Sequence, residues 1–464
     1  MSRFKDAIAF LTGKTLLSAA LILGRDGYHV PGLHAFNISN TVLDYIAKPE
    51  KVVFISGTNG KSTTTSLIRQ ILSASGKTVA YNTESNTQPG IISALLRYTS
   101  LFNRTKADVL VLEVAEEAID KIAACIKADY MLLTNIQKDT FQANLSPNYI
   151  RDKIGSVLNE DMTLFLNSDD PGILSYSKAF PRFISYSVRE NGLAAPRSGK
   201  QGADATKLPD NSPYAESGAC PLCSSKLIFE YVNLSGIGKF RCTGCGFGSL
   251  KETDYYVSGY DLERGVITIN GADFPMRYKA PHFAYNYLLA YAFAKEMGIA
   301  DGIIYEAFDS FVNIDGRLEE LELNGIKIHY SRFKQETPDT LQCSIDQIAR
   351  DKEPKTVVLS LNIVDHDTWG PKYTDTCYAY DCDFEKLCGP EIERFICSGE
   401  VVAYDTANRL IYAGIPKEKI TIVNSDDPGE LVKALLEEDA SQVYILAYLA
   451  HYRKIRKAIA AYGE

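Results

Sequence analysis

The sequence lacks an excess of positive charge, since 58 acidic residues against 49 lysines and arginines give a formal net charge of −9. That balance argues against nucleic acid as the main partner, so any phosphate site has to be a local feature. The chain also has little that resembles an export or membrane segment near its start. The apolar stretch 15–23 is short, follows Lys14 and ends at Gly24 and Arg25 without a small-residue cleavage pattern. We therefore expect an amphipathic or packed helix there, and neither a signal peptide nor a membrane span.

The overall composition is that of an ordinary globular protein, with 45% hydrophobic and 23% charged residues. At 464 residues the chain is too long for one core, and domains of about 100–200 residues predict two or three of them. Ten cysteines without a secretory signal indicate a reducing compartment, where closely spaced cysteine pairs bind metal more often than they form disulfides. We expect a cytoplasmic protein, with contact at the inner face of the membrane left open.

Apolar runs alternate with helical stretches along both halves of the chain. The strand candidates are 52–55, 109–114, 130–134, 163–166, 357–361, 395–398 and 443–446. This alternation predicts two α/β domains with largely parallel sheets. Residues 190–212 are rich in Gly, Ser, Pro, Lys and Asp, which is typical of a linker into an insertion. The predicted boundaries are 1–50 for an N-terminal segment, 51–315 for a central domain with an insertion at 213–250, and 316–464 for a C-terminal domain.

A phosphate-binding loop is the most informative motif. The apolar run 52–55 leads into a glycine turn and then into a helix start that carries a lysine and several hydroxyls. The glycines let backbone N–H groups face an anion, Lys61 would reach the β- and γ-phosphates, and Ser62 or Thr63 would hold Mg²⁺. Ile55 stands where the first glycine of the usual G-x-x-x-x-G-K-[ST] pattern belongs. The expected nucleotide-binding residues of this loop are Gly57, Thr58, Asn59, Gly60, Lys61, Ser62 and Thr63.

Four cysteines form two C-x-x-C pairs, Cys220 with Cys223 and Cys242 with Cys245, and 18 residues separate the pairs. Such spacing supplies four thiolates in tetrahedral reach of Zn²⁺. Because four protein ligands leave no open coordination position, we expect a structural zinc in a β-ribbon. The other six cysteines show no such spacing; burial as small apolar residues is the default for them, and a catalytic thiol is the alternative.

A carboxylate closes one of the predicted strands. Glu113 ends the run that begins at residue 109. Because the carboxyl ends of parallel strands form the ligand-binding edge of such sheets, we expect Glu113 to act in catalysis by holding Mg²⁺ or its water. The alternative is a solvated surface charge.

The loop S-G-T-N-G-K-S-T-T resembles the ATP loop of the Mur ligase and folylpolyglutamate synthase superfamily. Further motifs of that superfamily are matched at residues 134–139 (T-N-x-x-x-D), 166–171 (L-N-x-D-D-P), 281–286 (a helix start) and 316–319 (G-R-x-E). The resemblance implies that Asn286 faces the adenine and that Arg317 reaches the nucleotide phosphates when the domains close. The match departs from the family pattern after Asp139, at Thr140. The resemblance therefore does not identify the residues of the second Mg²⁺ shell.

The C-terminal part indicates the branch of the superfamily. Ordinary Mur ligases carry a D-Y-A-H-N-P turn that receives an amino acid, whereas residues 329–338 read H-Y-S-R-F-K-Q-E-T-P. Residues 375–385, D-T-C-Y-A-Y-D-C-D-F-E, resemble the D-x-S-W-x-W-D-x-D-F-E signature of the MurT-type subunit of lipid II isoglutaminyl synthase. The resemblance implies an α/β fold: a Mur-ligase-like central P-loop ATPase domain with an inserted four-cysteine zinc ribbon, plus a C-terminal Rossmann-like α/β domain.

The activity implied by this resemblance is ATP-dependent amidation. ATP would phosphorylate the D-glutamate α-carboxylate of the peptidoglycan stem peptide in lipid II, and ammonia would displace phosphate to leave D-isoglutamine. A GatD-type glutaminase would supply the ammonia within a heterodimer, with Asp375 orienting the histidine of that partner. The implied cofactors are ATP, Mg²⁺ and Zn²⁺, and membrane contact is at most peripheral, through the lipid-linked substrate. Two alternatives stay open: a stand-alone Mur or folylpolyglutamate-type ligase that adds an amino acid, and a nucleotide-binding scaffold with weakened catalysis.

Overall fold

The computed structural model describes residues 2–82, 85–137, 146–189, 218–234, 236–278, 280–312, 317–332, 338–361, 377–400, 402–438, 440–447 and 449–463. The strands are β1 Lys51–Ser56, β2 Val79–Tyr81, β3 Val109–Glu113, β4 Tyr130–Leu133, β5 Thr163–Asn167, β6 Ile184–Val188, β7 Leu227–Leu234, β8 Ile237–Cys242, β9 Tyr255–Asp261, β10 Val266–Ile269, β11 Ala272–Pro275, β12 Arg317–Leu323, β13 Ile326–Arg332, β14 Lys355–Ser360, β15 Ile392–Ser398, β16 Ile420–Val423 and β17 Gln442–Ala447.

The α-helices are α1 Ser2–Ile22, α2 Val30–Ile38, α3 Val42–Tyr45, α4 Lys61–Ala74, α5 Gln88–Tyr98, α6 Ile119–Cys125, α7 Pro147–Gly155, α8 Pro171–Leu174, α9 Phe283–Glu296, α10 Asp301–Asp309, α11 Pro338–Arg350, α12 Cys377–Tyr380, α13 Val402–Tyr412, α14 Pro428–Glu437 and α15 Leu449–Gly463. Short 3-10 turns lie at Glu116–Ala118, Ser175–Lys178, Phe384–Leu387 and Lys417–Lys419. Within the described residues, no helix combines the length and the apolar character that crossing a membrane requires.

The first sheet has nine strands in the order β11-β10-β9-β6-β5-β4-β1-β3-β2. Strands β1 to β6 and β9 run parallel, while β9, β10 and β11 form an antiparallel meander at one edge. Successive residues of β1 point to opposite faces: Val53 and Ile55 pack with α4 and α9, whereas Val52 and Phe54 pack with the N-terminal helices. Burial on both faces explains why β1 is a continuous apolar run and not an alternating one.

The second sheet has six strands in the order β12-β13-β17-β14-β15-β16. The hairpin of β12 and β13 is antiparallel, and the pairs from β13 to β16 are parallel. Val357 and Leu359 of β14 pack in a core with α11 and α13, and Val358 packs on the other face with α14 and α15. Helices on both faces of a mostly parallel sheet are the arrangement that the strand and helix alternation predicted.

All seven strand candidates correspond to strands, so two α/β units with largely parallel sheets are confirmed. The apolar stretch 15–23 lies mainly in α1, where Leu17 is buried and Ile22 is exposed, so of the two expected forms the helix is the amphipathic one. The proposed boundaries at 50 and 315 stay predictions. The predicted linker at 190–212 lies outside the described residues.

Candidate nucleotide site and metal centre

The phosphate loop leaves the carboxyl end of β1 and enters α4 through two glycines with positive φ, Gly57 at 122° and Gly60 at 86°. A Cβ on Gly57 would lie 2.3 Å from Thr134 Oγ1, and one on Gly60 would lie 2.5 Å from Asn286 Oδ1. Both positions therefore need glycine for their backbone angle and for space. The helix start that follows places backbone N–H groups at the end of the loop, and helix N-termini of this kind bind nucleotide phosphates.

The residues after β4 hold this loop in place. Thr58 N donates to Asn135 O at 2.9 Å, and Asn59 N donates to Asn135 Oδ1 at 2.9 Å. Asn59 Nδ2 donates to Gln137 Oε1 at 2.8 Å, and Gln137 N donates to Thr58 Oγ1 at 3.0 Å. The T-N motif seen in the sequence is thus the support of the loop. Asp139 and Thr140, which belong to the same motif region, lie outside the described residues.

Lys61 is buried, with only 6% of its side chain exposed, and it makes an ion pair that the sequence did not reveal. Its Nζ lies 2.9 Å from Glu116 Oε1, and it also donates to the carbonyl groups of Gly57 and Thr58. Glu116 begins the 3-10 turn that follows β3. A buried ammonium at the base of a glycine cradle is a cation placed where nucleotide phosphates would bind.

The expected magnesium residues border the same loop. Glu113 ends β3 in register with Ile55 of β1, and it is half-buried. Its backbone is fixed by Asn82, whose Oδ1 accepts from Glu113 N and whose Nδ2 donates to Glu113 O, both at 2.8 Å. Ser62, the other expected ligand, lies in the first turn of α4. A carboxylate and a hydroxyl beside the loop are donors that suit Mg²⁺, and their roles as ligands stay predictions.

Asn286 lies in the first turn of α9, is buried, and places its side-chain oxygen against Gly60. The start of α9 therefore meets the phosphate loop, while contact of Asn286 with an adenine stays a prediction. Arg317 opens β12, but its side chain is outside the described part of the structure. Asp375, the expected triad member, also lies outside the described residues.

The L-N-x-D-D-P turn connects the loop support to α9. Asp170 caps α8 by accepting from Ile173 N at 3.0 Å, and its other oxygen accepts from Ile136 N at 2.7 Å. Asp169 Oδ2 accepts from Val188 N at 2.7 Å and from the Tyr285 hydroxyl at 2.9 Å. Because both carboxyl groups are buried, the pKa of Asp169 rises to about 7 and that of Asp170 to about 6.

The raised pKa of Asp169 predicts how the free energy of unfolding changes with pH. The folded chain holds this proton more tightly than the unfolded chain, so the free energy of unfolding falls as pH rises from 3.8 to about 7. We expect Asp169→Asn, which stays neutral, to gain stability relative to the parent over that range, by on the order of 4 kcal/mol. Urea unfolding at a series of pH values measures this difference. Asp161→Asn, at an exposed position, is the matched control. A difference in the free energy of unfolding between the parent and Asp169→Asn that does not change with pH would contradict the prediction.

The four cysteines of the two pairs converge at the base of the β7–β8 hairpin. All four Sγ atoms lie within 4.8 Å of one another, with Cys220 and Cys245 at 3.7 Å and Cys223 and Cys242 at 3.4 Å. Four thiolates about 2.3 Å from one Zn²⁺ in a tetrahedron would be about 3.8 Å apart, so the cluster fits such an ion. Backbone N–H groups of Gly244 and Cys245 donate to Cys242 Sγ at 3.3 and 3.4 Å, which suits a thiolate.

The β7–β8 hairpin and the residues after it are bonded to the L-N-x-D-D-P turn. Gly238 N donates to Asp169 O at 2.9 Å, and Leu250 N donates to Ser168 Oγ at 2.8 Å. The predicted ribbon is therefore a two-stranded hairpin docked on the first sheet. Of the other cysteines, Cys382 and Cys397 are buried as expected, and Cys125 and Cys343 are half-buried. Cys388, at the end of the 3-10 turn Phe384–Leu387, is exposed, so the burial expected for it was wrong.

A buried arginine of α13 organises the segment that follows the predicted triad aspartate. The guanidinium of Arg409 pairs with both oxygens of Glu385 at 3.1 Å and donates to Cys382 O at 2.7 Å. Its Nε donates to Ala379 O at 3.2 Å. This fork of donors fixes residues 379–385 on the second sheet, a role that the sequence did not reveal.

Two family models match the chain. The description of the first is Mur ligase middle domain, over residues 55–213, and that of the second is MurT ligase C-terminal, over residues 335–451. The fold and the phosphate site define a ligase of the Mur superfamily, and the chain belongs to that superfamily. Within it, the chain is of the MurT type, which confirms the resemblance read from the sequence.

The similar proteins include subunit MurT of lipid II isoglutaminyl synthase (glutamine-hydrolyzing) from Staphylococcus aureus (strain N315), which is 28% identical over 83% of this chain and 83% of its own length. The subunit of the same name from Streptococcus pneumoniae (strain ATCC BAA-255 / R6) is 27% identical over 98% of this chain and 97% of its own length.

The fold is shared with solved Mur ligases. A pseudomurein peptide ligase type C from Methanothermus fervidus has a TM-score of 0.63 at 20% identity, covering 90% of this chain and 80% of its own. MurF from Thermotoga maritima in complex with ADP has a TM-score of 0.54 at 16% identity, covering 93% of this chain and 84% of its own. These likenesses confirm the predicted Mur-ligase fold class.

Proposed function

We propose that this chain is the ligase subunit that amidates the D-glutamate α-carboxylate of the lipid II stem peptide to D-isoglutamine, with ATP as the energy source. The observation that carries the proposal is the match of the MurT C-terminal model over residues 335–451 in a chain that also has an intact phosphate loop. The relatives' names, which describe a glutamine-hydrolysing subunit acting on lipid II, support the substrate and the nitrogen donor.

The reaction would take place in two steps. A carboxylate oxygen of the substrate attacks the γ-phosphorus of ATP, the bond between the γ-phosphorus and the bridging oxygen breaks, and ADP leaves an acyl phosphate behind. Ammonia then attacks the acyl carbon, inorganic phosphate departs, and the nitrogen loses a proton. Charge develops on the transferred phosphoryl group in the first step, and a cation beside that group stabilises it.

Lys61 is the cation that would serve this purpose. In the structure it pairs with Glu116, and binding of ATP would draw the ammonium from that carboxylate toward the β- and γ-phosphates. Arg317, at the start of β12, would approach the same phosphates when the second sheet closes over the first. Closure would also exclude water, which otherwise hydrolyses the acyl phosphate before ammonia arrives.

Magnesium would be held by Ser62 and Glu113, which border the loop. When bound, Mg²⁺ supplies positive charge that neutralises the phosphate oxygens. The half-buried position of Glu113 beside β1 and the hydroxyl of Ser62 in the first turn of α4 support this pair as ligands. The solved Thermotoga MurF, which shares this fold, is in complex with ADP, and this supports nucleotide binding by the chain.

Zinc would be held by Cys220, Cys223, Cys242 and Cys245 in a structural role. We expect one Zn²⁺ per chain, and Cys245→Ser to lower that content at least tenfold and to loosen the hairpin. Elemental analysis of protein purified without chelator, with proteolysis at β7 and β8, measures both effects. The matched control is Cys388→Ser at an exposed cysteine outside the cluster. Absence of stoichiometric zinc in the parent, or a disulfide within the four, would overturn the assignment.

Ammonia would come from a GatD-type glutaminase subunit. In solution at neutral pH almost all ammonia is protonated to ammonium, which is not a nucleophile. The word "subunit" in the relatives' names supports a partner. Asp375 would hold the partner's histidine in its productive tautomer, and the Arg409 fork would fix the segment immediately after it.

The assay that tests the function compares ATP consumption by the chain with lipid II, with and without a glutaminase subunit and glutamine. We expect sustained ATP consumption only when the glutaminase subunit and glutamine are both present, or when free ammonia replaces them. ATP consumption with a free amino acid alone would favour the stand-alone ligase. No turnover under any of these conditions would favour the nucleotide-binding scaffold.

A further inference from the structure

Helix α1 leaves one apolar face without a partner in the described part of the chain. Its buried side contributes Ala9, Phe10 and Leu17 to the core shared with α2 and α5. On the other side, Phe4 is 75%, Ile8 43%, Leu11 50% and Ile22 84% exposed. Because successive helix residues are about 100° apart, these four fall within an arc of about 60°. We call the four residues the α1 stripe.

The polar residues inside that arc and at its border are satisfied within the helix. Thr15 and Ser18 occupy the gap between Leu11 and Ile22. Thr15 Oγ1 donates to Leu11 O at 2.9 Å, and Ser18 Oγ donates to Lys14 O at 3.0 Å. Hydroxyls bonded to the preceding turn do not need water as an acceptor, so they can enter an apolar environment at low cost.

The exposed charges of α1 that flank the stripe are positive. Arg3 and Lys5 are exposed and lie about 100° to either side of the stripe centre. Asp6, the one acid among residues 3–25, is buried and accepts from Ser39 Oγ at 2.5 Å and Thr41 Oγ1 at 2.7 Å. After the helix, the exposed Arg25 and Asp26 carry opposite charges. The basic start of α1 contrasts with the formal charge of −9 for the whole chain.

We propose that α1 docks the chain on an anionic lipid bilayer, with the α1 stripe among the acyl chains and Arg3 and Lys5 near the phosphate headgroups. Since the opposite face of α1 is part of the core, the helix would lie along the membrane surface. The charge complementarity selects an anionic membrane as the occupant. The proposal rests on the proposed function in one respect: docking would bring the ligase site to a substrate that is itself anchored in the membrane.

The test is co-sedimentation of the full chain with vesicles of phosphatidylcholine, with and without phosphatidylglycerol. We expect binding to the anionic vesicles and at least tenfold weaker binding to the neutral ones, since each basic residue near an anionic surface adds about fivefold in affinity. Phe4→Gln with Ile22→Gln should lose at least tenfold in binding. Tyr412→Gln, at an 81% exposed aromatic residue of α13, is the matched control and should bind like the parent.

Failure of the parent to bind anionic vesicles, or equal binding by the stripe variant, would overturn the proposal. Self-association of the parent that the stripe variant abolishes, without vesicle binding, would assign the stripe to a second copy instead. Amidation of a soluble muropeptide separates this from the proposed function. The stripe variant should retain that activity, and absence of the activity in the parent would count against the proposed function alone.

Discussion

Lys61→Ala should lower ATP-dependent amidation about a thousandfold, because removing a cation that stabilises a transferring phosphoryl group costs that order of rate. The loop would keep its glycine cradle and its bonds to Asn135 and Gln137, so nucleotide would meet the same backbone without the ammonium. Steady-state turnover at saturating ATP, with the partner glutaminase and lipid II, measures the effect. More than a tenth of the parent turnover would remove Lys61 from the mechanism.

The same substitution should also destabilise the fold. The structure shows that Lys61 forms a buried pair with Glu116. Alanine leaves that carboxylate buried without its partner, which typically costs about 3–5 kcal/mol. The double variant Lys61→Met with Glu116→Gln removes both charges and should recover most of the stability without activity. Lys153→Ala, which breaks the more exposed pair with Asp120, is the matched control and should change neither quantity much.

Asp375→Asn should abolish glutamine-driven amidation and leave ATP binding nearly unchanged. An amide cannot hold the partner's histidine in the tautomer that activates a nucleophile, and the loss of such an orienting carboxylate costs on the order of a thousandfold or more. Free ammonia should restore the reaction, because the ligase site itself is unaltered. The measurement is product formation with glutamine and, separately, with ammonium salt at alkaline pH.

Asp381→Asn is the control for this prediction, because it changes another acid of the same signature. A larger defect in Asp381→Asn, or survival of glutamine-driven turnover in Asp375→Asn, would assign the triad role to the wrong residue. Failure of ammonia to restore activity would place Asp375 in the ligase site. In that case the proposed division of labour between the two subunits would be wrong.

The sequence was sufficient for the parallel strands and for the loop, because both depend on local patterns. Continuous apolar runs such as 52–55 and 357–361 mark strands buried on both faces. Strands β9 and β10 were missed, since they belong to the antiparallel meander, alternate in burial and contain polar residues. The metal cluster was predictable from spacing alone, because each C-x-x-C pair brings its two thiols together locally.

The contacts that complete the site could not be read from the sequence, since they join residues far apart in the chain. Glu116 is 55 residues from Lys61, and Asn135 is 76 residues from Asn59. Glu116 lies three positions after the end of β3, which in a sequence is only a weak indication of a role. Its position beside Lys61 follows from the pairing of β3 with β1. The fork of Arg409 depends likewise on how α13 packs against residues 379–385.

The most direct test of the central claim is mass spectrometry of the stem peptide after incubation of lipid II with this chain, a glutaminase subunit, ATP, Mg²⁺ and glutamine. We predict that the peptide mass falls by the difference between a hydroxyl and an amino group, that fragmentation places the change on the D-glutamate α-carboxyl, and that Lys61→Ala gives no product. An unchanged mass with the parent protein, or a gain equal to an added amino-acid residue, would contradict the account.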